Sequence, residues 1–203
     1  MVNQKGYVMT GMLLRFALAP AVAALMLLTP AAHAAELGDD GLHKPEWLRS
    51  TFKDMTEDLT EAADEGKRMM VIFEQRGCIY CTRMHEDVFP LPEIDALIND
   101  KFFVVQMNLF GDEEVTDFDG TTLSEKEMAR RWGVVFTPTI MFMPESAEGL
   151  ENAAADAVVS MPGAFGKWTT INLLNWVLER GYEGDEHFQK YHARKFAEQK
   201  GGN

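Results

Sequence analysis

The stretch that most constrains this chain is Gly77-Cys78-Ile79-Tyr80-Cys81, which holds its only two cysteines. An apolar run, Met69-Met70-Val71-Ile72-Phe73, precedes it, and a helix-like run from Thr82 to Val88 follows. A strand that delivers a C-x-x-C to the start of a helix is the pattern of a redox dithiol. The unpaired backbone N–H groups and the positive dipole end at a helix start favour negative charge there. Cys78 is therefore expected to ionise more readily than a free thiol and to be the attacking sulfur. Cys81, one turn further in, is the expected resolving thiol.

Other uses of the pair fit less well. A structural disulfide closing so short a loop would contribute only about 2 kcal/mol, less than a bridge between distant cysteines. A zinc site would have to recruit His43, His85, His187 or His192, and no second C-x-x-C accompanies the first. His187 and His192 stand five apart, poor for sharing a helix face, although His85 lies four residues after Cys81. Covalent haem attachment needs C-x-x-C-H, and Thr82 occupies the histidine position.

The amino terminus reads as a secretory signal. Lys5 and Arg15 are the only charges before a 13-residue apolar run, Phe16 to Leu28. Thr29-Pro30 breaks that run, and Ala32-His33-Ala34 offers an A-x-A cleavage site, so residues 1–34 are expected to be removed after Ala34. The run is short of the roughly 20 residues that span a bilayer, and a retained anchor is the alternative. Loss of Lys5 and Arg15 takes the formal net charge from −13 to −15. That charge argues against a nucleic-acid partner or an anionic membrane surface. The exported protein is thus expected to be periplasmic and not membrane-embedded. Dithiols outside the cytosol tend to be oxidised, so a reductant there must be re-reduced by a partner.

Residues 35–44 look like a flexible leader with little to bury. From Pro45, Leu48, Phe52, Met55, Leu59 and Ala62 recur at helical spacing, which predicts a helix ending at Gly66. The apolar strand 69–73 and the C-x-x-C helix follow, the latter halted by Pro90-Leu91-Pro92. A short helix, Glu93 to Ile98, leads into a second strand, Phe102 to Met107. The acidic loop 112–119 reads as a solvated excursion; Asp117-Phe118-Asp119-Gly120 hints at a calcium loop but lacks the remaining ligand spacing. Ser124 and Glu127 form a capping box for a helix running to about Trp132. Pro138 then opens an apolar run suited to an edge strand, and Ala157 to Met161 reads as its partner strand. A final helix carries Trp168, Ile171, Leu174 and Leu178 on one side, before a charged helical tail, Glu186 to Gln199, expected to pack on the domain. This order predicts an α/β fold with a mixed central sheet and helices on both faces. The expected divisions are the signal peptide 1–34, the leader 35–44, a domain over 45–182 and the tail 183–203.

The C-x-x-C at a strand–helix junction, together with Thr137-Pro138 opening a later strand, resembles the thioredoxin superfamily. Within it, G-C-x-Y-C-x-x-M-x-x-x-V-F, the Asp-Phe-Asp-Gly loop and W-G-V-x-x-T-P-T are similar to exported SoxW-type thioredoxins. The resemblance spans about Trp47 to Tyr182. It implies a thioredoxin-like fold, with Cys78 as nucleophile, Cys81 as resolving cysteine, and Pro138 as a cis-proline beside them, preceded by Thr137. A cis X-Pro bond is a specific choice; here it implies a backbone edge at Thr137 on which an extended client segment pairs.

The chain also departs from ordinary thioredoxins. It lacks W-C-G-P-C, and Ile72 stands where they carry a buried acid, six residues before the first cysteine. Glu74, two residues on and on the same strand face, is the nearest candidate proton acceptor for Cys81. The competing reading is a solvated Glu74 or one paired with Arg76. Tyr80 either contacts the client or simply covers the sulfurs.

The resemblance implies a thiol–disulfide oxidoreductase that needs no cofactor. It acts on disulfide-containing exported proteins in the reducing direction, with electrons from a membrane thiol transporter. Two rivals remain open: an oxidase or isomerase, and a copper-handling metallochaperone. Thiolates and thioethers suit Cu(I), and the chain has 13 methionines. Most of these fall in apolar runs, however, and copper-delivery relatives carry the wider C-x-x-x-C.

Overall fold

The architecture is that of a computed structural model, which describes residue 1 and residues 35–201. Apart from Met1, the expected signal peptide lies outside the described residues. Two apolar runs form β1 (Arg68–Glu74) and β2 (Phe102–Asn108), paired in parallel with Met70 opposite Val104. Such strands are apolar on both faces because both are covered. β5 (Thr139–Phe142) runs antiparallel to β1, with Ile72 opposite Ile140, and β6 (Val159–Pro162) runs antiparallel to β5. The sheet order is β2-β1-β5-β6. β5 is thus an interior strand, not the edge strand expected from its proline. Pro138 stands just outside it, so the missing N–H removes no ladder bond.

Alternation along these strands divides the core in two. Met70, Ile72, Phe102, Val104, Ile140 and Phe142 face one layer, built on α2 (Ile79–Asp87), α3 (Pro92–Lys101), α6 (Lys167–Leu178) and α7 (Phe188–Gly201). Met69, Val71, Phe73, Phe103, Val105 and Met141 face the other, built on α1 (Met55–Asp64), α4 (Glu125–Arg131) and the short α5 (Ala153–Asp156). The result is a mixed sheet with helices on both faces. α7 closes the first layer by burying Phe188 and Tyr191. On α6 the buried apolar side is Leu173, Leu174, Trp176 and Val177, whereas Trp168 is 40% exposed, so the expected apolar stripe is rotated. Among the described residues no helix is long and apolar enough to cross a membrane.

The N-terminal approach differs from expectation. The helix anticipated from Pro45 starts at Met55, because Asp54 is its N-cap, accepting from the N–H groups of Thr56 and Glu57 at 3.0 and 3.1 Å. Residues 45–53 instead run along the sheet: Leu48 bridges to Val104, and the Arg49 N–H donates to the Val104 carbonyl at 2.9 Å. That contact covers the outer edge of β2 and leaves Phe52 exposed. Residues 35–44 are not short of burial either. Leu42 and His43 are buried, and Leu37 bridges to His43 across a turn at Gly41.

The acidic loop leaves Asp112, Glu113, Glu114 and Asp119 in solvent as expected, but it is folded around a buried Asp117. It contains a two-stranded ribbon, β3 (Glu114–Thr116) and β4 (Thr122–Ser124). Asp117 is buried beneath it and accepts from Trp132 Nε1 at 2.7 Å, Arg131 Nε at 3.1 Å and the Ala153 N–H at 2.9 Å. These donors occupy its oxygens, and a structural hub replaces the hint of a calcium ligand. Ser124 and Glu127 form the anticipated capping box of α4.

Candidate active site

β1 ends at Glu74, and Gln75-Arg76-Gly77 turns the chain into α2. Gly77 has φ +72°, a left-handed conformation that glycine adopts without a Cβ penalty. Arg76 does not face Glu74. Its guanidinium donates to the carbonyls of Asp39 and Asp40, at 2.7 and 3.2 Å. Cys78 is the N-cap of α2, and its Sγ accepts from the Cys81 N–H at 3.0 Å. The two cysteines are disulfide-bonded, with Cα atoms 5.2 Å apart. Cys78 is 7% exposed and Cys81 1%.

The loop before β5 reaches the same sulfur. Thr137 Oγ1 donates to Cys78 Sγ at 3.3 Å, and the Thr137–Pro138 peptide is cis. The Pro138 carbonyl accepts from the Gly163 N–H at 2.7 Å, which ties this loop to the end of β6. Tyr80 is exposed, and so are Ile79 beside it and Val135 and Phe136 on the proline loop. The last three were not singled out in the sequence. Their signal was present, as apolar residues that no helical or strand period absorbs.

Glu74 is neither solvated nor paired with Arg76. It is fully buried on the sheet face that carries α2, continuing the row Met70–Ile72. Its Oε1 lies 2.8 Å from His85 Nε2, and its Oε2 accepts from Gln106 Nε2 at 2.6 Å. The same Gln106 amide donates to the His43 carbonyl at 2.8 Å, and Gln106 Oε1 accepts from Lys44 Nζ at 2.7 Å. The His43 ring stacks on His85, with centroids 4.3 Å apart and planes 11° from parallel. Trp47 stacks beyond, 6.0 Å from His85. Burial, aided by repulsion from His85, holds the His43 imidazole below its ordinary value against the pull of Glu74 and Glu86. Sequence reasoning weighed His43 and His85 only as zinc ligands; their meeting depends on the N-terminal segment crossing the sheet.

His43, Glu74 and His85 bring donor atoms within 4.8 Å of one another, the only such group among the described residues. The arrangement does not fit a metal centre. Both Glu74 oxygens already have hydrogen-bond partners, and the lone pairs of two parallel stacked rings lie in separate planes and cannot converge on one ion. Copper handling also finds little support. Of the described methionines, Met55, Met69, Met70, Met84, Met107, Met128, Met141 and Met143 are buried in the core, where methionine fills space.

A disulfide at a helix N-cap, met by the cis-proline loop of the neighbouring strand, sits on a thioredoxin-like fold. Residues 55–154 match the family model of the thioredoxin-like domain. Among solved structures, a thioredoxin-fold protein from Helicobacter pylori is 21% identical, covering 75% of this chain and 89% of its own, with a TM-score of 0.52. A thioredoxin from Thermus thermophilus is 26% identical over 63% of this chain and 86% of its own, with a TM-score of 0.49. No curated protein sequence matches significantly. Residues 55–154 thus carry a thioredoxin-like domain, and the fold around them is thioredoxin-like.

Proposed function

We propose that the protein is a thiol–disulfide oxidoreductase of the SoxW type that reduces disulfides of exported proteins in the periplasm. The observation that carries this reading is the environment of Cys78 Sγ. It sits at the N-cap of α2, with the Cys81 N–H and Thr137 Oγ1 both aimed at it. Donors directed at a sulfur favour its anion, the attacking form. The cis Thr137–Pro138 loop beside it offers the backbone on which an extended client segment pairs. Exposed Ile79, Tyr80, Val135 and Phe136 give that segment apolar contact.

In the reducing direction the Cys78 thiolate attacks one sulfur of a client disulfide. A Cys78–client bond forms, the client bond breaks, and the second client sulfur leaves and takes a proton. Cys81 then gives up its proton and attacks Cys78 Sγ, forming the Cys78–Cys81 bond and releasing the first client sulfur as a thiol. The client gains two electrons and two protons, and a membrane thiol transporter restores the dithiol. The proton acceptor for Cys81 is the Glu74–His85 pair. Helical side chains lean toward the helix N-terminus, so His85 leans over the turn that carries Cys81, four residues earlier. Glu74 holds the ring from below.

The test is insulin reduction by wild type and Cys78→Ser. Loss of turnover in the variant is expected; equal rates would discard the proposal. A reduction potential well above the thioredoxin range would reassign the direction to an oxidase or isomerase. A Cys81→Ser protein, expressed with its signal in the native host, should accumulate mixed disulfides that identify the clients.

A further inference from the structure

We propose that His43, supplied by a segment that precedes the thioredoxin-like domain match, is a positioning residue of the redox site, keeping the His85–Glu74 pair dry and ready to take the proton of Cys81. The inference rests on the dithiol chemistry proposed above. The family match begins at residue 55, so nothing in that domain accounts for residues 37–49. Yet this segment is held along the turn before α2, α2 itself and β2. Arg76, two residues before Cys78, grips the Asp39 and Asp40 carbonyls. A Cβ added at Gly41, whose φ is +76°, would stand 2.8 Å from the Arg76 side chain, so the turn and the arginine are fitted to each other. Leu42 is buried, Lys44 and the His43 carbonyl hold Gln106, and Trp47 meets Phe89 edge-on at 5.5 Å.

In the middle of this strap the His43 ring lies flat on His85. An imidazole shut away from water carries a positive charge less readily. Glu74 and Gln106 close the cluster on the sheet side, His85 and Glu86 belong to α2, and Lys44 and Trp47 belong to the strap. Within this group His43, held below its ordinary value, roofs His85 without adding a positive charge. Taking the roof away admits water and frees the His85 ring, and proton transfer from Cys81 to the pair slows.

The experiment uses the full chain, reduced, and follows nitrothiobenzoate release from dithiobis(nitrobenzoate) by stopped flow across pH. The first release reports attack by Cys78, and the second reports displacement by Cys81. His43→Ala is expected to leave the first release unchanged and to slow the second roughly tenfold at neutral pH. His43→Phe restores a flat, dry cover without a titrating nitrogen and should return the second release to within about twofold of wild type. A second release in His43→Ala that follows the wild-type profile would overturn the inference. So would a His43→Phe protein, folded by circular dichroism, that is as slow as His43→Ala. A wild-type protein that releases only one equivalent would remove the oxidoreductase reading itself, and this inference with it.

Discussion

Glu74 and His85 stand 2.8 Å apart with both side chains out of water, at the junction where β1 gives way to the cysteine helix. A buried carboxylate is tolerated in such a place only when its oxygens are met. Here His85 meets one and Gln106 the other.

Glu74→Leu should therefore destabilise the fold by about 3 kcal/mol, because it leaves the His85 nitrogen buried without a partner. Glu74→Gln keeps the shape and one hydrogen bond, and about 1 kcal/mol is expected. Urea unfolding at unchanged m-value measures both. Equal midpoints for wild type and Glu74→Leu would mean that the pair contributes nothing to the fold.

Two buried groups give opposite pH terms. Burial pushes the Asp58 carboxyl up to about 6, against the hydrogen bond from Thr51 and with repulsion from Asp54, Glu61 and Glu57 added. An acid raised on folding binds more protons folded than unfolded. Its contribution is thus full below about pH 4 and is lost as pH climbs to about 6. His43 is lowered on folding, so its contribution is full above its ordinary 6.5 and is lost as pH falls below that. Asp58→Asn should remove the first term and stabilise the protein at pH 7 by on the order of 1 kcal/mol, after allowance for solvent screening. Thermal melts of wild type and Asp58→Asn from pH 4 to 8 test it. Parallel curves would contradict the assignment.

Thr137 reaches Cys78 Sγ, the sulfur proposed to attack, from the proline loop. Thr137→Val keeps the β-branched shape but removes the Oγ1 donor to Cys78 Sγ. A lost hydrogen bond of about 1 kcal/mol corresponds to a Cys78 titration raised by roughly 0.7 unit. The ultraviolet absorbance of the thiolate, followed against pH in the reduced protein, reads that shift. A midpoint that stays put, or falls, would show that the hydroxyl does not stabilise the anion.

Much of this architecture was written locally and could be read locally. The apolar runs of β1 and β2, the capping box at Ser124 and the C-x-x-C at a strand end each declare themselves within a few residues. What misled was apolar spacing without a cap. Leu48, Phe52 and Met55 imitate a helix face, but Asp54 sets the true start, and Leu48 is spent on the edge of β2. Asp117 looked solvated because its partners, Arg131, Trp132 and Ala153, come from two later elements. Glu74 was placed on the right strand face by parity alone. Its engagement with His85, Gln106 and the His43 segment depends on three elements meeting across the sheet, which no local pattern encodes.

The difference in exposure between the sulfurs has a consequence for traffic through the site. Cys78 keeps a sliver of solvent exposure, while Cys81 has almost none. Any molecule approaching from outside must be captured by the outer sulfur first, and eviction is reserved to a neighbour that visitors cannot touch. In the proposed exchange, capture and dismissal thus fall to different atoms.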